Sequence, residues 1–112
     1  MASTLNLLID QGATFTQAVS VGTSFNGLTP RAVIRDSFGG SLIATLACSV
    51  VSAGSTTLSL AAVQTIAIAR PASASARERE SLLGVWELEI PNGATVTRTH
   101  QGEARLSLEA GA

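Results

Sequence analysis

The chain has 112 residues, of which 46% are hydrophobic and 13% are charged, and its formal net charge is −1. This length fits one domain spanning residues 1–112, and this composition excludes a disordered tail. The basic residues are all arginines, spread along the chain and offset by carboxylates, so no basic patch exists and no nucleic acid is expected as a partner.

Cysteine content and hydropathy bear on the compartment. The only cysteine, Cys48, lies in an apolar run, which excludes a disulfide framework and predicts a buried, inert thiol. The apolar segment from Leu42 to Val51 is shorter than the roughly 20 residues that span a bilayer. No N-terminal segment combines a basic start with a long apolar stretch. We therefore expect a soluble protein that is made in the cytoplasm, with no membrane partner.

The first third of the chain contains three predicted strands. Residues 4–10 are rich in Leu and Ile, and residues 13–21 alternate apolar and small polar side chains, so the two runs predict a first hairpin or corner. Residues 22–30 carry Gly, Asn-Gly and Pro and predict an ordered loop. Residues 31–36 alternate again and predict a strand that ends in the turn at residues 36–40.

The middle third is less regular. Residues 42–51 are almost wholly apolar or small, which predicts a central strand with both faces covered, and residues 56–60 predict a further strand. Residues 61–70 fit a short helix by their alanines or a strand by their Val and Ile residues, and we favour a strand or irregular crossover. Residues 71–81 are low in apolar content and predict a solvated loop or one helical turn.

The clearest pattern lies between Leu83 and Gly93. Trp86, Leu88 and Ile90 alternate with polar or smaller residues, which is the period of a strand with one buried face. Asn92-Gly93 predicts a turn that leads into a return strand from Thr95. Gly102 permits a bulge or bend in that return strand.

Seven or eight short strands joined by turns predict an all-β fold, a single immunoglobulin-like antiparallel β-sandwich, with a closed barrel as the alternative. Apolar residues at inward positions of these strands form the expected core. They are Phe15, Ile34, Leu46, Leu58, Trp86, Leu88, Ile90 and Leu106.

No residue pattern predicts catalysis, cofactor binding or metal binding. His100 is the only histidine and lacks a nucleophile partner at a recognisable spacing, so we expect an exposed strand residue there. Glu87 and Glu89 share a solvated face on which carboxylates serve solubility. Gly39-Gly40 lacks the Lys-Ser/Thr of a phosphate loop. An enzyme would need a site that the chain does not visibly contain.

Several short stretches resemble a known group. Asp10 to Thr16, Leu28-Thr29, Arg31 to Arg35 and Gly84 to Ile90, followed by Val96-Thr97-Arg98 and Gly102, look like small tailed-bacteriophage virion proteins. That group is similar to the immunoglobulin-like N-terminal domain of the siphophage baseplate upper protein. The resemblance implies a non-enzymatic structural component of the virion in the tail, baseplate or fibre-attachment region, or a capsid cement protein. It also implies other virion proteins as partners and many symmetric copies.

An assembly protein of this kind would make its contacts through loops and an edge strand. Here these would be the low-charge face around residues 42–51, the loop at residues 22–30 and the N-terminal strand at residues 1–8. The expected contact residues are Leu5, Leu7, Phe25, Leu28, Phe38, Ile43, Arg77 and Arg79. A glycan-binding module that reads a host surface through the Phe25 and Phe38 loops is the alternative. Two rings exposed together in a cleft would favour glycan binding, whereas inward packing would favour assembly.

Overall fold

The computed structural model describes residues 2–68 and 80–107. Within these ranges the protein is mostly β, which confirms the predicted all-β class. A short 3-10 turn at Thr23–Phe25 and one helix interrupt the strands. The strands are β1 (Ser3–Thr4), β2 (Leu7–Asp10), β3 (Phe15–Ser20), β4 (Arg31–Arg35), β5 (Leu42–Cys48), β6 (Ser55–Leu60), β7 (Glu80–Asn92) and β8 (Thr95–Ser107), and the helix is α1 (Ala62–Ile66).

The strands form one curled sheet in the order β1-β8-β7-β4-β5-β6-β3, with β2 also paired to β8. Strand β5 joins the two halves, because its first part pairs with β4 and its end, at Ala47 and Cys48, pairs with β6. The pairs β3–β6, β4–β7 and β7–β8 are all antiparallel. Among the described residues no pairing joins β3 to β1 or β2, so the sheet is not a closed barrel.

The N-terminal edge departs from the antiparallel arrangement that we predicted. Strands β1 and β2 run parallel to β8, and β2 forms no hairpin with β3. The register pairs Leu7 with Ala104 and Ile9 with Leu106, so the two apolar side chains of β2 enter the core beside those of β8. The rest of the domain acts as the long connection that parallel pairing requires.

The β7–β8 hairpin confirms the strand and return strand predicted around Trp86. The loop consists of Gly93 and Ala94, because Asn92 pairs with Thr95, and Gly93 has a φ of 61°. A glycine with positive φ at the first loop position is typical of a type II′ turn. The β7–β8 ladder shifts register between Leu82 and Gly84. Because of this bulge, the side chains that point into the core change from odd-numbered residues such as Leu83 to even-numbered residues such as Trp86.

Gly102 does not form the bulge that we predicted in the return strand. It pairs with Trp86 in regular register, and a Cβ at this position would overlap the Leu5 carbonyl, 2.8 Å from its carbon. The glycine therefore allows the N-terminal segment to lie directly against β8. Leu5 N–H donates to Gln101 O at 2.9 Å on the same side.

The core lies between the two halves of the curled sheet. Trp86 has no solvent-exposed area, and its indole Nε1–H donates to Leu5 O at 2.6 Å. Every residue that we predicted for the core is buried: Phe15, Ile34, Leu46, Leu58, Trp86, Leu88, Ile90 and Leu106.

Two predictions for the middle of the chain are wrong. Residues 62–66 form helix α1 rather than a strand. No helix among the described residues is long and apolar enough to cross a membrane. The buried Thr65 fixes α1 to the turn between β2 and β3, since its Oγ1 donates to Ala13 O at 2.8 Å and accepts from Gly12 N–H at 3.1 Å. Strand β5 is shorter than predicted, and one of its faces is open, with Leu42 54% exposed.

Candidate interaction surface

Charge divides the molecule into two parts. The sequence contains no Asp, Glu, Lys or Arg in residues 11–30 or in residues 37–69. These ranges contain β3, β5, β6 and α1, whereas the charged strand residues lie on β2, β4, β7 and β8. We call the outward side of β3, β5, β6 and α1 the uncharged surface.

The β3–β6 part of the uncharged surface consists of small side chains in register. Buried residues alternate along both strands, so the intervening residues point outward. Three cross-strand pairs form this face: Thr16 with Ser59, Ala18 with Thr57, and Ser20 with Ser55. The side chains of this face are small and uncharged, so a neighbouring protein could approach it without desolvating a charge.

Apolar side chains extend this surface at both ends. Val63, on α1, is 73% exposed, and Ile66 lies one helical turn further along and is also exposed. Val50, in the connection between β5 and β6, is exposed as well. Helical residues three apart share a face, so Val63 and Ile66 present a small apolar patch that the fold leaves uncovered.

The charged half has a different character, because three ion pairs join its strands within the described ranges. Arg98 contacts Glu87 at 2.6 Å, Arg31 contacts Glu89 at 3.2 Å, and Arg105 lies 3.9 Å from Glu80. Each pair joins residues of adjacent strands, which is the cross-strand arrangement that favours opposite charges. These pairs leave this face largely neutral.

The predicted contact residues have several different environments. Leu7 is only 2% exposed and lies in the core, so this prediction is corrected: the alternation of β2 turns Leu7 inward. Leu5 and Ile43 pack against the core and are half-buried. Phe25 and Leu28 are half-buried in the loop before β4, and Phe38 is 57% exposed. Arg77 and Arg79 lie outside the described residues.

Phe25 and Phe38 do not form a common cleft. Phe25 lies in the loop that leads into β4 and Phe38 in the turn that leaves it, so the two rings lie at opposite ends of that strand. The loop with Phe25 is ordered, as predicted, by backbone hydrogen bonds to Val51 and by the Asn26 side chain, which accepts from Gly54 N–H at 2.8 Å. The two rings therefore do not form the shared binding cleft that the glycan-binding alternative requires.

Cys48 and His100 are far apart in the sequence, and burial shifts the pKa of each side chain in favour of its neutral form. Burial raises the pKa of the Cys48 thiol from 9.0 to about 11, which keeps it protonated at neutral pH. Burial lowers the pKa of His100, which is half-buried rather than exposed as predicted, and its Nδ1 lies 3.1 Å from Thr99 Oγ1. No group of three or more His, Cys, Asp or Glu residues comes together within residues 2–68 and 80–107.

Of the uncharged surface, the sequence predicted the low-charge face around residues 42–51 but neither the exposed helix α1 nor the contribution of β3 and β6. The exposed Val63 and Ile66 were assigned to a crossover, because five residues of helix give too little periodicity to recognise. The two charge-free ranges were visible in the sequence, but only the fold brings β3, β5, β6 and α1 to the same half of the molecule.

No protein-family model matches this chain, and no curated protein matches it at a significant level.

Proposed function

We propose that the protein is a non-enzymatic structural component of a tailed-phage virion that docks onto neighbouring proteins through its uncharged surface. The observation that carries this proposal is the segregation of charge, with no ionised side chain on β3, β5, β6 or α1. A soluble domain gains nothing in solubility from such a surface. A domain that is covered by neighbours in a particle avoids the cost of burying unpaired charges there.

The exposed apolar residues support the same role. Val63 and Ile66 project from α1, and Val50 extends the apolar character beside β5. Buried interface centres are typically depleted in charge and surrounded by polar groups that remain hydrated. The Thr, Ser and Ala side chains of β3 and β6 suit close packing of a second protein against the sheet.

The virion assignment rests on the sequence resemblance. The stretch Asp10 to Thr16 covers the end of β2, the following turn and the start of β3, and the stretch Gly84 to Ile90 lies on β7. Tail, baseplate and fibre-attachment sites are the preferred positions in the particle. A cement role on the capsid is the alternative position and uses the same kind of surface.

Mass spectrometry of purified particles tests the assignment. We expect the protein in intact particles and in isolated tails; recovery with tail-free capsids instead would indicate the cement role. Absence from both fractions would overturn the virion proposal.

A pair of charge insertions tests the surface. Val63→Glu places a carboxylate on the uncharged surface, whereas Leu82→Glu places one at an exposed apolar position of the charged half, opposite Arg105. We expect Val63→Glu to reduce incorporation into particles and Leu82→Glu to leave it unchanged, with both variants equally folded by circular dichroism. Equal incorporation of the two variants would contradict docking through this surface.

A further inference from the structure

The outer edge of β3 is open within the described part of the chain. Strand β3 pairs with β6 on one side, and no described strand pairs with its other side. Val21 N–H donates to Gly54 O at 2.8 Å, so the odd-numbered residues direct their backbone groups toward β6. Thr16, Ala18 and Ser20 therefore direct their N–H and C=O groups away from the sheet.

This edge lacks the features that normally protect an open strand. Soluble proteins use charged residues, proline or bulges to prevent edge-to-edge pairing. β3 contains no charged residue, no proline and no glycine, and its pairing with β6 is regular over all six residues. The opposite edge is different, because β1 and β2 are interrupted at Leu5-Asn6 and end at Asp10.

We propose that β3 of one copy pairs with β3 of a second copy in antiparallel orientation, with Ala18 facing Ala18 across a two-fold axis. The inference rests on the proposed assembly function and specifies one of its contacts. A second copy fits because a self-complementary edge presents the same donors and acceptors on both sides of the axis. It also fits electrostatically, since the contact brings no like charges together.

The register follows from the hydrogen bonds. We call Thr16, Ala18 and Ser20 the outward residues, because their backbone N–H and C=O groups point away from β6. The hydrogen bonds between two copies form only if each outward residue lies opposite an outward residue of the other copy. Centring the axis on Ala18 opposes Thr16 to Ser20 and Ala18 to Ala18, so all three outward residues of each copy are paired. Centring it on Gln17 or Val19 leaves one outward residue of each copy unpaired. In the single copy, Gln17 Nε2 donates to Ala18 O at 3.0 Å, and this exposed local contact would be displaced by the neighbouring strand.

Site-directed disulfide trapping tests this register. In a Cys48→Ser background, Ala18→Cys places two thiols on directly opposed residues, whose Cα atoms lie about 5.5 Å apart in a hydrogen-bonded pair and can form a disulfide. Thr57→Cys is the matched control, because Thr57 is exposed and lies beside Ala18 on β6. In the paired dimer the two Thr57 positions are three strand spacings apart, about 14 Å, which is too far for a disulfide.

We expect mild oxidation of purified protein to give a covalent dimer for Ala18→Cys and none for Thr57→Cys. Equal cross-linking of both variants would indicate non-specific association, and cross-linking of neither would exclude the pairing; either result overturns the proposal. Sedimentation over a concentration series gives the second measurement. Ala18→Lys, which opposes two like charges, should weaken self-association at least about fivefold, and Thr57→Lys should not.

The two proposals fail in different ways. Trapping of Ala18→Cys together with absence from virions would leave the pairing standing and overturn the virion role. Presence in virions without trapping, in solution or in the particle, would overturn the pairing alone.

Discussion

The indole of Trp86 and the backbone of Leu5 form a direct link between the centre of the core and the N-terminal edge. Trp86 Nε1–H donates to Leu5 O at 2.6 Å, and Leu5 N–H donates to Gln101 O at 2.9 Å. Gly102 lies opposite Trp86 and leaves room for the Leu5 carbonyl. The tryptophan thus combines a large buried area with the hydrogen bond that holds the segment between β1 and β2.

Replacing Trp86 with Phe should destabilise the fold and loosen its N-terminal edge. The substitution removes ring volume and leaves Leu5 O without its buried donor, so we expect a loss of about 2–4 kcal/mol in the free energy of unfolding. Leu88→Ala is the control, because it creates a cavity in the same core without breaking this bond. Hydrogen exchange of Leu5 N–H should accelerate more in Trp86→Phe than global destabilisation explains. Equal acceleration in both variants would contradict a specific role for the bond.

Gly102→Ala should be among the costly small substitutions in this protein. The new Cβ would overlap the Leu5 carbonyl, so β8 and the N-terminal segment would have to separate. We expect a loss of at least about 2 kcal/mol by chemical denaturation. Gly93→Ala is the matched control, since Gly93 has open space around its Cα and only its φ of 61° opposes a side chain. That control should lose about 1 kcal/mol. A smaller loss at Gly102 than at Gly93 would contradict the close approach.

Cys48 predicts a decline in stability at alkaline pH. Burial raises its pKa from 9.0 to about 11, so the folded state retains the proton that the unfolded state releases. The resulting stabilisation is complete below pH 9 and is lost as the pH rises from 9 through 11. Denaturation across this range should therefore give a steeper decline for the wild type than for Cys48→Ser, and the wild-type thiol should be alkylated slowly at pH 8 unless the protein is unfolded. Rapid alkylation of the folded protein would contradict the raised pKa.

Of the three ion pairs that the described residues form on β7, those of Glu87 and Glu89 should contribute unequally to stability. Glu87 is 18% exposed and contacts Arg98 at 2.6 Å, whereas Glu89 is 29% exposed and contacts Arg31, which is 59% exposed, at 3.2 Å. We expect Glu87→Gln to lower the free energy of unfolding by about 1 kcal/mol and Glu89→Gln by less than about 0.5 kcal/mol. Added salt should reduce the effect of Glu89→Gln first, since exposed charges are screened more strongly. The reverse order of the two losses would refute this assignment.

Sequence patterns were most informative where local chemistry determines the structure. The alternation of Trp86, Leu88 and Ile90 and the glycine turn at Gly93 predicted the β7–β8 hairpin, because both signals act within a few residues. The turn itself is displaced by one position, since Gly93 and Ala94 form the loop while Asn92 belongs to β7.

Long-range contacts determine the parts that the sequence did not predict. Helix α1 is anchored by the hydrogen bond of Thr65 to Ala13 O, a partner that no local pattern reveals. The parallel pairing of β2 with β8 and the position of Leu7 in the core likewise depend on residues near the other end of the chain. The uncharged surface is an intermediate case, because its residues were visible as two charge-free ranges, but their assembly on one half of the molecule follows from strand order.

The parallel pairing of β2 with β8 has a consequence for biosynthesis. Leu7 and Ile9 emerge from the ribosome 97 residues before their partners Ala104 and Leu106. Until then the apolar face of β2 has no strand to join, and the nascent chain presents it to chaperones or to other nascent chains. Because loop closure over this separation must precede the pairing, docking of β2 is expected to be a late step and to set the pace of maturation.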